Sequence, residues 1–161
     1  MIKKLILSLA VTTTLASVGI ASAQAASNSC KPVDGVAIAN FYREGEGKPV
    51  IISAASLGGW ANAAGKITAQ RKTATGLEMD MEHYFGTPSG GGLLTKDLGV
   101  LTAVPGKPGR YMIEITYDVQ EGTARSVLKG YKGQFNSYGL VDLRDPNNMG
   151  GLVRFFGEIC K

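Results

Sequence analysis

Arg110-Tyr111-Met112-Ile113-Glu114-Ile115-Thr116-Tyr117-Asp118-Val119 is the stretch that decides the fold class. In an extended chain, Tyr111, Ile113, Ile115, Tyr117 and Val119 share one side, and Met112, Glu114, Thr116 and Asp118 share the other. A period of two with one apolar face marks a strand whose first set of residues faces a core. Pro105-Gly106-Lys107-Pro108-Gly109 stands before it and reads as a turn.

Similar segments lie on both sides. Lys66–Lys72 and Leu77–Phe85 read as strands joined by Thr73-Ala74-Thr75-Gly76, a loop suited to a hairpin. Leu93–Asp97 and Gly99–Val104 read as extended. Gln134–Leu143 and Leu152–Cys160 read as the last strands, with Asp145-Pro146-Asn147-Asn148 turning between them. Only Ile52–Ala64 admits a short helix, through its alanines; Gly58-Gly59 interrupts it, so a bulged strand competes. Glycines at 133, 139 and 157 weaken flat strands but suit a sharply bent sheet. The expected fold is therefore all-β, a small antiparallel barrel rather than a sandwich.

The N-terminus predicts export. Lys3 and Lys4 precede an uncharged run from Leu5 to Ile20, and Ala21-Ser22-Ala23 supplies a small-x-small cleavage pattern. Residues 1–23 read as a signal peptide of bacterial form, leaving residues 24–161 as one barrel domain, periplasmic or secreted. Ser8, Thr12, Thr13, Thr14 and Ser17 dilute the apolar run, which argues against a stable membrane anchor, since a span needs about 20 predominantly apolar residues. Ser27-Asn28-Ser29 before Cys30 is too polar for a lipidation box.

Two cysteines, Cys30 and Cys160, stand near the two ends of that domain. In an oxidising compartment such a pair is expected to form a disulfide. Cys30 is expected just ahead of the first strand. With no CxxC and a single histidine, no metal set and no cofactor are expected. The chain carries a net charge of +4; setting Lys3 and Lys4 aside leaves fifteen basic against thirteen acidic residues. No Lys/Arg stripe appears, so nucleic acid is not an expected partner.

Three segments of the last third carry a resemblance: Leu128-Lys129-Gly130-Tyr131-Lys132-Gly133-Gln134-Phe135, Gly139-Leu140-Val141-Asp142-Leu143, and Phe155-Phe156-Gly157-Glu158-Ile159-Cys160. In this order they resemble the Gly-rich strand pair, the G-x-V-D strand and the closing aromatic-Gly-Cys strand of small secreted bacterial barrels related in fold to the allene oxide cyclase barrel. The match spans roughly Glu121 to Cys160. Gly122-Thr123-Ala124 departs from that group's Gly-Thr-Gly lead-in. The resemblance implies a barrel and transfers no catalytic residue.

Few residues suggest chemistry. His83, beside Glu82, is the one candidate general acid or base; its plainer reading is a surface or strand-end histidine. Glu78, Asp80 and Glu82 share one strand face, opposite Met79, Met81 and His83. They read as a solvated outer face rather than a cation site. Gly86–Gly92 lacks the ending of a phosphate loop and reads as a flexible loop, of the kind found at a barrel mouth. Trp60, Tyr111 and Tyr117 are candidate ligand contacts, with core packing as the rival reading.

Three functions compete. A barrel can hold a small apolar ligand. It can serve as a structural or interaction component of the cell envelope, docking an envelope or extracellular protein. It can also be an isomerase- or cyclase-type enzyme using His83, although no recognisable catalytic set accompanies that residue.

Overall fold

The computed structural model describes residues 29–161, so the expected signal peptide lies outside the described residues. The chain forms β1 (Cys30–Pro32), β2 (Gly35–Arg43), β3 (Val50–Ser56), β4 (Asn62–Lys72) and β5 (Gly76–Gly86). Then follow β6 (Gly92–Ala103), β7 (Arg110–Val119), β8 (Gln134–Asp142) and β9 (Met149–Cys160). A single turn of 3₁₀ helix, Ser126–Leu128, interrupts the β7–β8 connection.

Each strand from β2 to β9 pairs antiparallel with the next, and β9 returns to β2. The result is a closed eight-stranded barrel, in which each of β2 to β9 has a partner on both sides. Along β9, the pairs Cys30↔Cys160 and Gly35↔Phe155 keep one register, so β1 and β2 are a single line broken at Val33-Asp34. At the break, the Val33 N–H donates to the Gly157 carbonyl at 2.9 Å. Gly157 has φ +128°, a conformation that side chains rarely adopt, and lets β9 bend there.

Cys30 and Cys160 face one another directly in the β1–β9 ladder, with Cα atoms 4.0 Å apart, and are joined as a disulfide. The Lys161 N–H donates to the Ser29 carbonyl beyond them, so they form a non-hydrogen-bonded pair, where side chains approach most closely. The all-β barrel tied at its ends thus stands as expected. Cys30 lies inside the first strand rather than ahead of it.

Three local expectations are corrected. Ile52–Ala64 forms no helix: it is the end of β3, a turn, and the start of β4. Ile52 and Ala54 point inward, as do Ala61 and Ala63, so the packed interior overrides the helix preference of alanine. Leu93–Val104 is one strand, β6, rather than two. Leu128–Phe135 is not a strand pair. Its first half is loop, bridged to β9 only where Lys132 and Cys160 exchange backbone hydrogen bonds, and β8 starts at Gln134.

The interior differs at its two ends. At the end that holds the β3–β4, β5–β6 and β7–β8 connections, large side chains fill the barrel: Phe85, Leu93, Leu128, Phe135 and Ile159 are wholly buried. Burying each such side chain contributes about 1.5–3 kcal/mol. Trp60 caps them, stacked on Phe85 at 5.5 Å and edge-on to Phe135 at 5.4 Å. The opposite end, where the chain turns at residues 44–49, 73–75, 104–109 and 143–148, is not filled.

Candidate functional site

The unfilled end is a cavity of about 470 Å³, open at the mouth of the barrel. Its walls are apolar, from Phe41, Ile67, Met79, Leu101, Ile113 and Met149, and Arg43 and Gln70 contribute polar groups. These residues are inward-facing positions of six different strands, so the cavity follows from the pleat. An eight-stranded barrel is just wide enough to be filled by large side chains or to hold one small ligand. Here it does one at each end. The volume falls within the roughly 300–1,000 Å³ of small-molecule sites.

Below the mouth lies a second space of about 20 Å³, lined by His83, Tyr117 and the small side chains Ala39, Ala54 and Ala63. Phe41 and Ile113 line both spaces, so they form the neck between them. His83 is therefore neither a surface residue nor at a strand end. Its side chain is only 4% exposed, and it points inward in phase with Met79, Met81 and Phe85. Its carboxylate partner is not Glu82, which faces outward and pairs with Lys66 at 3.1 Å. It is Asp97 on β6, fully buried, with Oδ2 2.6 Å from Nδ1 of His83.

With Asp97 as a carboxylate, that bond places a proton on Nδ1, which donates to it; in the neutral ring Nε2 is then the acceptor. Nε2 makes no side-chain hydrogen bond among the described residues. Thr95, directly opposite His83 in the β5–β6 ladder, is 1% exposed, and its hydroxyl has no partner among the described residues; nor has Oδ1 of Asp97. Tyr117 and Ser137, the other polar pair of the interior, satisfy one another at 3.0 Å. Burial pushes the Tyr117 phenol above its ordinary range, so it stays neutral.

Of the three candidate ligand contacts, only Tyr117 lines an interior space, the inner one. Trp60 belongs to the closed end, and its indole N–H is buried without a partner among the described residues. Tyr111 packs against the core and lines neither space. Gly86–Gly92 is not at the open mouth. Gly86 and Gly92 end paired strands, and Thr87 holds the turn between them at the closed end: its hydroxyl accepts from the Gly91 N–H at 2.9 Å.

The carboxylates of β5 are neutralised on the outer face. Arg71 reaches both Glu78, at 2.7 Å, and Asp80, at 2.6 Å. Asp80 borders a shallow polar depression of about 570 Å³ together with Thr68, Glu82, Lys96 and Asp118; its Asp80 and Glu82 carboxylates are already paired. Glu158 approaches Cys30 and Cys160, but both sulfurs are joined in the disulfide and offer no thiolate to a metal.

Asp97 was legible in principle. Leu93, Thr95 and Asp97 alternate in phase with Leu101, so an acidic residue occupies an inward position. The hairpin turn sets His83 opposite Thr95, one step from Asp97. No protein-family model, curated protein or solved structure matches this chain.

Proposed function

We propose that the protein is an exported binding module that takes a small apolar molecule into the open mouth of its barrel. The apolar cavity of about 470 Å³ carries this reading. A barrel with a purely structural role gains nothing from an unfilled end, because each missing contact costs packing energy. Export is supported by the Lys3-Lys4, Leu5–Ile20 and Ala21-Ser22-Ala23 pattern, and by a disulfide suited to the bacterial periplasm or exterior. Lys66, Arg71, Glu78, Asp80, Glu82 and Asp118 stand on the outer wall. Such a wall suits water rather than acyl chains, since a transmembrane barrel is apolar outside and polar within.

Titration with the apolar fluorophore N-phenyl-1-naphthylamine tests the proposal. Saturable one-to-one binding is expected, and a linear, non-saturating response would contradict it.

One observation favours the second reading, a component that docks an envelope or extracellular protein. Met112, Leu140, Leu152 and Ile38 lie side by side across β7, β8, β9 and β2, in direct register. They are 42–55% exposed and form a continuous apolar row around the outside of the barrel.

A further inference from the structure

Resting on the cavity reading above, we propose that the bound molecule is uncharged and carries one hydroxyl, and that this hydroxyl donates to Nε2 of His83 through the neck between Phe41 and Ile113.

Three observations converge on this head site. His83 lines the inner space, whereas Asp97 does not, so the carboxylate sits behind the imidazole and the ring stands between it and the space. In the neutral ring the Nδ1–H···Asp97 bond leaves Nε2 as a lone-pair acceptor, and the group that matches it is a donor. The space measures about 20 Å³, enough for one water-sized group. The other interior hydroxyls that line or approach this level, Tyr117 and Ser137, are already bonded to one another. The Thr95 hydroxyl and Oδ1 of Asp97 also lack partners among the described residues but do not line the inner space, so His83 is the acceptor that faces it.

The charge of the ligand follows from the same inventory. His83 and Asp97 are the only charged or chargeable groups of the interior wall among the buried described residues, apart from the Tyr117 phenol. Asp97 already claims the imidazole. A carboxylate pushed to this depth would be a second buried anion without a cation, which is strongly unfavourable. A carboxylate amphiphile has a better place, with its head at Arg43 on the rim and its tail inward. Depth and charge thus separate two ligand classes, and the inner site selects the neutral one.

The test compares 1-decanol with 1-fluorodecane, in which fluorine matches the hydroxyl in size but cannot donate, and with decanoate. Each displaces N-phenyl-1-naphthylamine from the wild-type protein and from His83→Asn. Asparagine keeps an N–H donor near the Nδ1 position for Asp97 and removes Nε2. The ratio of fluorodecane to decanol dissociation constants is expected to fall about five- to tenfold in H83N, the value of one buried hydrogen bond. Decanoate affinity should change less than about twofold. Leu101→Ala, on the cavity wall away from His83, should weaken decanol and fluorodecane together and leave their ratio unchanged.

A ratio that is the same in wild type and H83N overturns the head site and leaves the cavity reading standing. A loss of decanoate binding in H83N parallel to that of decanol overturns the claim of a neutral head. Failure of all three to displace the fluorophore from a wild-type protein that binds it overturns the head site as well. Failure of the fluorophore itself to bind removes the cavity reading beneath it. If H83N does not fold, judged by circular dichroism, Gly65→Ala replaces it, because that change displaces the imidazole while leaving His83 and Asp97 in the chain.

Discussion

Gly65 and His83 are direct partners across the β4–β5 ladder, and the missing side chain of Gly65 leaves the room that the imidazole occupies. A Cβ at Gly65 would overlap Cδ2 of His83 and crowd the Glu82 carbonyl. One stretch of the wall is therefore built small, from Gly65, Ala39, Ala54 and Ala63, so that the strands beside it can carry a buried His–Asp pair and an aromatic cluster.

Gly65→Ala should cost about 1–3 kcal/mol, as overpacking of a filled interior does. It should also break the 2.6 Å contact between His83 and Asp97. Urea denaturation reads the first effect. The imidazole nitrogen resonances read the second, by loss of the Nδ1–H signal of a hydrogen-bonded histidine. A variant as stable as wild type with that signal intact would show that the ring does not need the space.

Thr95→Val should be neutral or stabilising by up to about 1 kcal/mol. The buried Thr95 hydroxyl has no partner among the described residues, and valine replaces it with a methyl of similar shape. The measurement is the urea midpoint. A loss greater than about 1 kcal/mol would show that the hydroxyl is satisfied in solution.

The disulfide spans a sequence separation of 130 residues and pins the three-residue strand β1 to β9. The Cys30→Ser, Cys160→Ser double variant should lose about 2–5 kcal/mol. It should keep the barrel's circular dichroism spectrum, because β2 to β9 close without β1. An unfolded variant at room temperature would mean that closure of the barrel depends on the bond.

Asp142 should stabilise the fold at neutral pH and cease to do so in acid. Hydrogen bonds from Arg144, with Nη2 2.6 Å from Oδ2, and from Arg110 hold its carboxyl well below the usual carboxylate range. In the unfolded chain the group titrates near pH 4, so below that pH the unfolded state binds the extra proton. The contribution is present above about pH 4 and fades as pH falls through the depressed native value. The difference in urea midpoint between wild type and Asp142→Asn should therefore shrink from pH 6 to pH 2. A difference independent of pH would contradict the role of the arginines.

Much of the architecture was legible from alternation and turn residues. Arg110–Val119 is β7 to the residue, and Gln134–Leu143 and Leu152–Cys160 match β8 and β9 closely, because a strand with one buried face must alternate. The first half was harder to read. Around Gly58-Gly59 the inward positions Ala54, Ala61 and Ala63 carry side chains too small to show a period, because this part of the wall is small where His83 and the aromatics take up the interior. His83 also misled: between Glu82 and Tyr84, both outward, it looks like surface, and only its partner Asp97 on the next strand explains its burial. The cavity could not be read at all. Phe41, Met79 and Leu101 look like ordinary core residues, and whether they meet across the barrel depends on its diameter, which closure by β9 on β2 sets.

A bulky side chain placed in the mouth tests the binding role most directly. Leu77 lines the cavity and is only partly buried, so Leu77→Trp can fill the space with little strain on the core. Titration with N-phenyl-1-naphthylamine should show one saturable site on the wild type and at least tenfold weaker binding to L77W, with a melting temperature equal or higher. Equal binding to both proteins would place the fluorophore elsewhere, with the outer row of Met112, Leu140, Leu152 and Ile38 the first place to look, and would contradict a ligand held in the barrel mouth.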